Sequence, residues 1–356
     1  MPPAGPPTGD APAARLFELI TAHSVSAALH AVAQLRLADA FDGETSYTDL
    51  AEKTGSVPDV LLRLLRFLVA QGVVAESAPG RFALTDMGAY LRTDRVESLF
   101  AVALLHAGPH HQRRWAALAD KVRPATGEQS APQPAPAASP GAGGGNPFNM
   151  PPEIAAVFQQ AMTFFTRSTA QAIVDGYDFA GVRAVFDVGG GHGTLLATLV
   201  EALPDISGVV FDLPEVAERA AQQFAAQGVG ERLTAVGGDF FQHVPAGGDL
   251  YLLKNVLHDW DDEQATQILA RCRQAMTPGH RLLIAESVMP DTLSGSLASR
   301  LAAMGDLNML LNGGRERTLP EYSKLLSEAG FRQTRLVPIV PAWIGVESQL
   351  IEAMAI

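Results

Sequence analysis

The chain predicts an α/β protein, a doubly wound Rossmann-like sheet preceded by a small helical unit of winged-helix type, and three observations carry that reading. From Ala184 onward, short β-rich runs alternate with helical segments, the pattern of a parallel sheet whose crossovers are helices. The first of these runs leads straight into a glycine-rich turn. Ahead of them lies an Ala- and Leu-rich helical region that ends in a hairpin signal.

Length and charge narrow the class. At 356 residues the chain is expected to hold two domains. Hydrophobic residues at 47% against 18% charged mark a globular protein rather than a disordered or fibrous one. A formal charge of −12, from 26 basic and 38 acidic residues, argues against nucleic acid as a partner. Cys272 is the only cysteine, so no intrachain disulfide forms and a cytoplasmic location is the default. The start, Met-Pro-Pro-Ala-Gly-Pro-Pro, lacks the basic and apolar regions of a secretory signal. No apolar run is read as reaching the roughly 18 residues of a membrane span, and no membrane partner is expected.

In chain order, residues 1–14 are rich in Pro, Ala and Gly and are expected to form a disordered leader. Leu16 to Leu37 reads as a long buried helix with Leu16, Leu19 and Ile20 on one face. Shorter helices follow near residues 47–54, ending at Gly55, and from Pro58 to Gln71, capped by Ser56 and closed by Gly72. Val73–Glu76 and Phe82–Leu84 flank the turn signal Pro79-Gly80 and complete a winged helix within residues 15–122. Residues 15–95 carry 8 basic and 10 acidic side chains, the wrong balance for gripping phosphates.

Residues 123–149 form a Pro/Ala/Gly-rich loop, with 6 Pro, 5 Gly and 6 Ala between Arg123 and Pro147. The second domain is expected over residues 150–356. Its first helix, Ile154 to Val174, places Phe158, Met162 and Phe165 on one face, as ordinary core or as the lining of a pocket. The strands are Ala184–Val188, Gly208–Phe211, Leu233–Val236, Leu250–Leu253 and Leu282–Ala285, and Arg335–Ile339 and Gln349–Ala353 add two more at an edge.

The candidate chemistry stands at the ends of those strands, where open α/β sheets bind ligands. Asp187 is followed by Gly189-x-Gly191-x-Gly193; with Thr194 next, this does not fit the G-x-G-x-x-G of nicotinamide cofactors. Asp212 follows the second strand, 23 positions beyond Gly189, where a carboxylate can accept both hydroxyls of a ribose. Gly237-Gly238-Asp239-Phe240-Phe241 follows the third and offers a carboxylate and an aromatic wall to an adenine; in isolation Asp239 would be a helix cap or turn residue, but as the third such group at a strand end it reads as a ligand. After the fourth comes Lys254-Asn-Val-Leu-His258-Asp-Trp-Asp-Asp262, in which the His258 imidazole suits a general base at neutral pH. A metal site built from His258, Asp259, Asp261 and Asp262 is disfavoured, because adjacent side chains diverge and Asp261-Asp262 resembles the acidic first turn of a helix. His110 and His111 read as surface residues.

Taken in this order, DVGGGHG, FDLPEV, GGDFF, LKNVLHDWDDE, LLIAES and GGRERT resemble the S-adenosylmethionine (SAM)-dependent O-methyltransferases of the plant caffeic acid type and their bacterial antibiotic-tailoring relatives. The resemblance covers residues 16–122 and 151–356. It implies a seven-stranded mixed sheet and an N-terminal winged-helix unit that builds a homodimer interface. It implies SAM as cofactor, with Gly189 and its neighbours at the methionine part, Asp212 at the ribose, Asp239 and Phe240 at the adenine, and Lys254 also in contact. Asp187, Gly191, Leu213 and Gly238 complete the implied cofactor set. His258 would be the base, flanked by Glu286 and Glu316, with no metal, and Met162, Phe165, Met304, Asp306, Asn308 and Asn312 would line the pocket of a small aromatic acceptor. The chain departs from the family's pattern at residues 123–149, where ordered helices and aromatic residues are usual. Two other readings stand beside methyl transfer: a family member with non-methylating tailoring chemistry, and a winged-helix regulator.

Overall fold

A run with no glycine, and with proline only at its first residue, forms α1 (Pro12–Gln34). The computed structural model describes residues 11–123 and 152–356. The expected leader is therefore helical from Pro12, because proline is tolerated in a first helical turn, while residues 1–10 and the expected loop beyond Arg123 lie outside the described residues. The described residues divide into two units, 11–116 with 152–164 and 117–123 with 165–356.

In the N-terminal unit, α1 corrects the expectation of burial. Ala28, Val32 and Ala33 are covered, but Leu16, Phe17, Leu19 and Ile20 are each 57% to 65% exposed. The shared face was legible; what covers it was not. Against the expectation that no apolar run is long enough to span a membrane, an 18-residue stretch of α1 reaches a mean hydropathy of 1.3 and meets that requirement by length and composition.

β1 (Thr45–Ser46) leads into α2 (Tyr47–Thr54), where the Ser46 hydroxyl accepts the Asp49 N–H at 3.1 Å and Gly55 closes the helix. In α3 (Pro58–Ala70), Leu61, Leu65 and Leu68 share the buried face, each worth about 1.5–3 kcal/mol on burial. Its cap is Val57, not Ser56, whose hydroxyl instead meets that of Thr54 at 2.8 Å. β2 (Val74–Ala78) and β3 (Arg81–Leu84) form the wing, and β1 pairs antiparallel with β3 to give the order β1-β3-β2. α4 (Phe100–His106) and α5 (Pro109–Ala116) follow. His111 is not a plain surface residue: Trp115 Nε1–H donates to its Nε2 at 2.7 Å, the His106 ring stands 4.7 Å away, and burial pushes its pKa down to about 4.

After α6 (Leu118–Val122), helix α7 (Pro152–Gly176) begins in one unit and ends in the other. Within α7 the division falls between Phe164 and Phe165. Phe158 and Met162 pack with Ala101, Leu105 and Ala161 in the N-terminal unit, the core alternative for that face.

The second unit carries β4 (Ala184–Val188), α8 (Thr194–Ala202), β5 (Ser207–Asp212), α9 (Pro214–Gln227), β6 (Leu233–Gly237) and β7 (Leu250–Lys254). Then come α10 (Asp262–Ala275), β8 (Arg281–Ala285), β9 (Val288–Met289), α11 (Leu297–Asn312), β10 (Arg317–Thr318), α12 (Leu319–Glu328), β11 (Phe331–Ile339) and β12 (Ser348–Ala355). The seven-stranded sheet runs β11-β12-β8-β7-β4-β5-β6, with β12 antiparallel to both its neighbours and the remaining pairs parallel. The two edge strands expected from the tail are present, and β12 lies inside β11 rather than outside it.

Burial on both faces makes the central strands continuously apolar, as in the Leu-Tyr-Leu-Leu of β7. Alternate residues enter opposite cores: Val185, Leu252 and Leu283 join one cluster, and Phe186, Leu253 and Ile284 the other. Strand order reverses between β4 and β7, and the crevice at their C-terminal ends is the site such sheets offer to ligands.

Candidate active site

On the β4 side of the crevice the backbone of the glycine turn is tied to the next strand. Gly189 N–H donates to Phe211 O at 2.8 Å, and Gly191 N–H donates to Asp212 Oδ2 at 2.8 Å. Asp212 Oδ1 accepts the Leu213 N–H at 2.7 Å, so both carboxylate oxygens already hold a backbone amide and each keeps a further lone pair. At Gly191, φ is +58° and a Cβ would meet nothing within 4 Å, so the backbone here faces open space that only glycine leaves unfilled.

Asp187 is buried beneath this turn, and burial pushes its pKa up to about 7 against the opposing pull of Lys254. Burial likewise raises Asp212, where the Gly191 and Leu213 amides act in the other direction, and lowers Lys254 against Asp187 and Glu286. Beyond β6, Gly238 N–H donates to Asp212 O at 2.9 Å. Asp239 serves the turn, accepting the Phe241 N–H at 2.9 Å and the Gln242 side-chain amide at 3.0 Å. The Phe240 ring stands edge-on to Phe241 at 5.0 Å and to Trp260 at 6.0 Å, forming an aromatic wall. Open glycine backbone, two carboxylates and an aromatic wall fit a cofactor with an amino-acid end, a ribose and a base.

The β7 side holds the imidazole. The chain leaves Lys254 through Asn255, whose φ of +52° turns it sharply into the 3-10 turn Leu257–Asp259. His258 Nδ1 lies 3.1 Å from Glu316 Oε1 and 3.4 Å from Glu286 Oε2. Glu286 is buried, and its Oε1 accepts the Val256 and Leu257 N–H groups, each at 2.8 Å. Burial would lower the pKa of the ring, but Glu286, the hydrogen bond to Glu316 and Asp259 together outweigh it and raise His258 to about 9. Burial raises Glu286 in turn, opposed by His258 and the two amides. With a proton on Nδ1 donated to Glu316, the lone pair of Nε2 is the basic position, as in other His-carboxylate pairs. Donor atoms of His258, Glu286 and Glu316 all lie within 4.8 Å, a spacing a metal ion could also use, although both Oε1 atoms are already engaged by amides or by the ring.

The remaining acidic residues of this segment serve the fold. Asp261 caps α10, accepting the Gln264 N–H at 2.8 Å, and Asp262 pairs with Arg317 at 2.9 Å. Arg317, fully buried, was not singled out in the sequence, where an Arg beside a Glu reads as surface. Asp306, expected to face an acceptor, instead accepts the Glu316 N–H at 3.0 Å and so helps to place that carboxylate. Asn312 donates to Asn308 O at 2.7 Å within α11, while its Oδ1 is buried without a partner. Met304 is half exposed on the same helix, and Phe165 lies against Trp343 with ring centroids 5.6 Å apart. Met162 belongs to the N-terminal unit.

A ligand crevice at the switch point of a doubly wound sheet and a carboxylate-flanked imidazole at the same sheet edge suit an enzyme that uses a bound nucleoside cofactor. Comparison with known proteins makes the class specific. The family described as O-methyltransferase domain matches residues 115–332, and the O-methyltransferase dimerisation domain matches residues 17–94. The chain is 37% identical over 336 residues to a phenazine O-methyltransferase of Lysobacter antibioticus, covering 94% of this chain and 95% of that one. It is 40% identical over 326 residues to the O-demethylpuromycin-O-methyltransferase of Streptomyces alboniger, with 90% and 84% covered. A solved O-methyltransferase from neocarzinostatin biosynthesis, in complex with SAM and 2-hydroxy-5-methyl naphthoic acid, is 31% identical with a TM-score of 0.69, covering 94% of this chain and 96% of that one. The chain belongs to the SAM-dependent O-methyltransferases, and SAM is its cofactor.

Proposed function

We propose that this enzyme methylates a hydroxyl, phenolic in character, of a small aromatic natural product, with His258 as the general base. The observation that carries the reading is the His258 ring, held through Nδ1 by two buried carboxylates at the carboxyl edge of β7. Relatives that act on phenazine, puromycin-type and naphthoate compounds support an aromatic acceptor. When bound, SAM supplies an electrophilic methyl group, so the protein's own task is to orient the acceptor and take its proton. Asp187, Gly189, Gly191, Asp212, Leu213, Gly238, Asp239, Phe240 and Lys254 would hold the cofactor. Phe165 with Trp343, together with Met304 and Asn308, would offer apolar and amide surface to the acceptor.

The carboxylates make His258 a stronger base and at the same time reduce the fraction that is neutral at pH 7. A phenol of pKa about 10 is well matched to an imidazole whose pKa is about 9. The base must be unprotonated in the free enzyme, so kcat/KM is expected to rise with pH, with a midpoint well above 6.5 and near 9. The assay is transfer of a labelled methyl group from SAM to a panel of hydroxyphenazines, hydroxynaphthoates and simple phenols, read by mass spectrometry across pH. A profile flat from pH 6 to 9 on an accepted substrate would remove His258 from the role, and a panel without product, where SAM binds, would remove the phenolic reading.

The exposed Leu16, Phe17, Leu19 and Ile20 face, in the region matching the dimerisation domain, is read as the surface a second copy covers. Light scattering at micromolar concentration is expected to give twice the 37.6 kDa chain mass; a monomer would refute the assignment.

A further inference from the structure

We propose that Arg317 is a positioning residue for this reaction, holding the segment that carries His258 so that its ring stays between Glu286 and Glu316. The inference rests on the reading of His258 as the base. Arg317 is one of the largest fully buried side chains, and its guanidinium is spent on the catalytic turn. Nη1 donates to Leu257 O at 2.8 Å, Nη2 to Trp260 O at 2.8 Å, and Nε to Asp262 Oδ1 at 2.9 Å. The acceptors lie on both sides of His258 and on the first turn of α10, so one rigid fork spans the whole bend.

The neighbouring residues close the same bracket. Arg315 N–H donates to His258 O at 2.8 Å, and Gly314 approaches so nearly that a Cβ there would lie 2.1 Å from that oxygen. Glu316 reaches Nδ1 of the ring while its own amide is held by Asp306. The carbonyls of Leu257, His258 and Trp260 are thus all engaged by residues 315–317. β10, which begins at Arg317, pairs with β9, two residues beyond Glu286, so both carboxylates and the imidazole are referred to one frame. A ring held between two carboxylates depends on placement to a fraction of an ångström, and displacement of about 1 Å costs on the order of 100-fold in rate.

The groups facing His258 are Glu286 beyond β8, Glu316 before β10 and Asp259 of its own turn. Tyr322 of α12 feels Glu286 and Glu316, and Lys254 of β7 feels Glu286. Arg317→Lys keeps the positive charge and loses the fork, so it isolates placement from electrostatics. Asp262→Asn weakens the bond at the outer end of the fork by removing the charge, at a side chain 49% exposed.

The experiment is NMR titration of the histidine resonances in the free full-length protein, the His258 signal among nine being assigned by its loss in His258→Gln. In Arg317→Lys the His258 midpoint is expected to fall toward 6.5 as the ring leaves its carboxylates, and Asp262→Asn should move it the same way by less. With a phenol that the enzyme accepts, kcat should drop about 100-fold in Arg317→Lys at unchanged KM for SAM. A His258 midpoint that stays in place in the folded variants overturns the proposal and leaves Arg317 a packing residue; if Arg317→Lys does not fold, Asp262→Asn decides alone. Full methyl transfer by His258→Ala would instead overturn the base reading, whatever the titrations show.

Discussion

His258→Ala is expected to lose about 10²–10⁴-fold in the rate of methyl transfer while its affinity for SAM is retained. The ring is the imidazole to which both buried carboxylates are directed, and the hydrogen bonds of the groups proposed to hold SAM, at the ends of β4, β5 and β6, go elsewhere. Removing the ring also leaves Glu286 and Glu316 without their shared cation. Glu286, whose pKa burial already raises, then loses the cation that opposed the rise. Transfer assayed with an accepted phenol, beside calorimetric SAM binding, separates the two effects. Activity equal to the unmodified enzyme would show that the acceptor's proton leaves by another route.

The second large effect is expected at Asp212. Asp212→Asn keeps the shape but turns one acceptor into a donor, which then faces either the Gly191 or the Leu213 N–H. A hydrogen bond to a charged group is worth about 1.5–3 kcal/mol, so losing one from the glycine turn should weaken SAM binding roughly 10- to 100-fold. The turn keeps its Gly189–Phe211 bond, and any ribose contact that needs the carboxylate's charge is weakened with it. Calorimetry with SAM and with S-adenosylhomocysteine checks the expectation. Undiminished affinity would mean that Asp212 only shapes the turn and touches no cofactor.

What was legible in the sequence follows from how far apart the cooperating residues stand along the chain. The glycine turn, Asp212 and the Gly238-Asp239-Phe240 segment each begin where a parallel strand ends, so recognising the strands was enough to bring them to one edge. The Glu316–His258 contact joins residues 58 positions apart, and no periodicity reports such a meeting; only the resemblance pointed to it. Arg317 escaped notice because a buried arginine and a surface arginine look alike in sequence, and its three acceptors are defined by tertiary structure. The misplaced cap at Ser56 was avoidable: a proline at the first helical position makes the residue before it the cap, and that residue is Val57. At α1 the spacing correctly grouped Leu16, Leu19 and Ile20 on one face, but burial depends on a neighbour that the spacing does not contain. Asp306 was assigned to the acceptor from its place on α11, whereas the amide it holds lies ten residues on, across the Gly313-Gly314 bend.

The place of β12 sets the order in which the sheet can assemble. β12 follows β11 in the chain, yet it lies between β11 and β8, pairing Ile351 with Ile284 and Ala355 with Phe331. β11 therefore has no partner in the sheet until residues synthesised after it have folded back against β8. A chain emerging from the ribosome can complete its N-terminal unit early, but it carries β8 as an uncovered sheet edge until β12 has been synthesised and paired. Closure by the final strand is a long-range event of the kind that slows folding, and an open apolar edge invites pairing with other chains in the meantime.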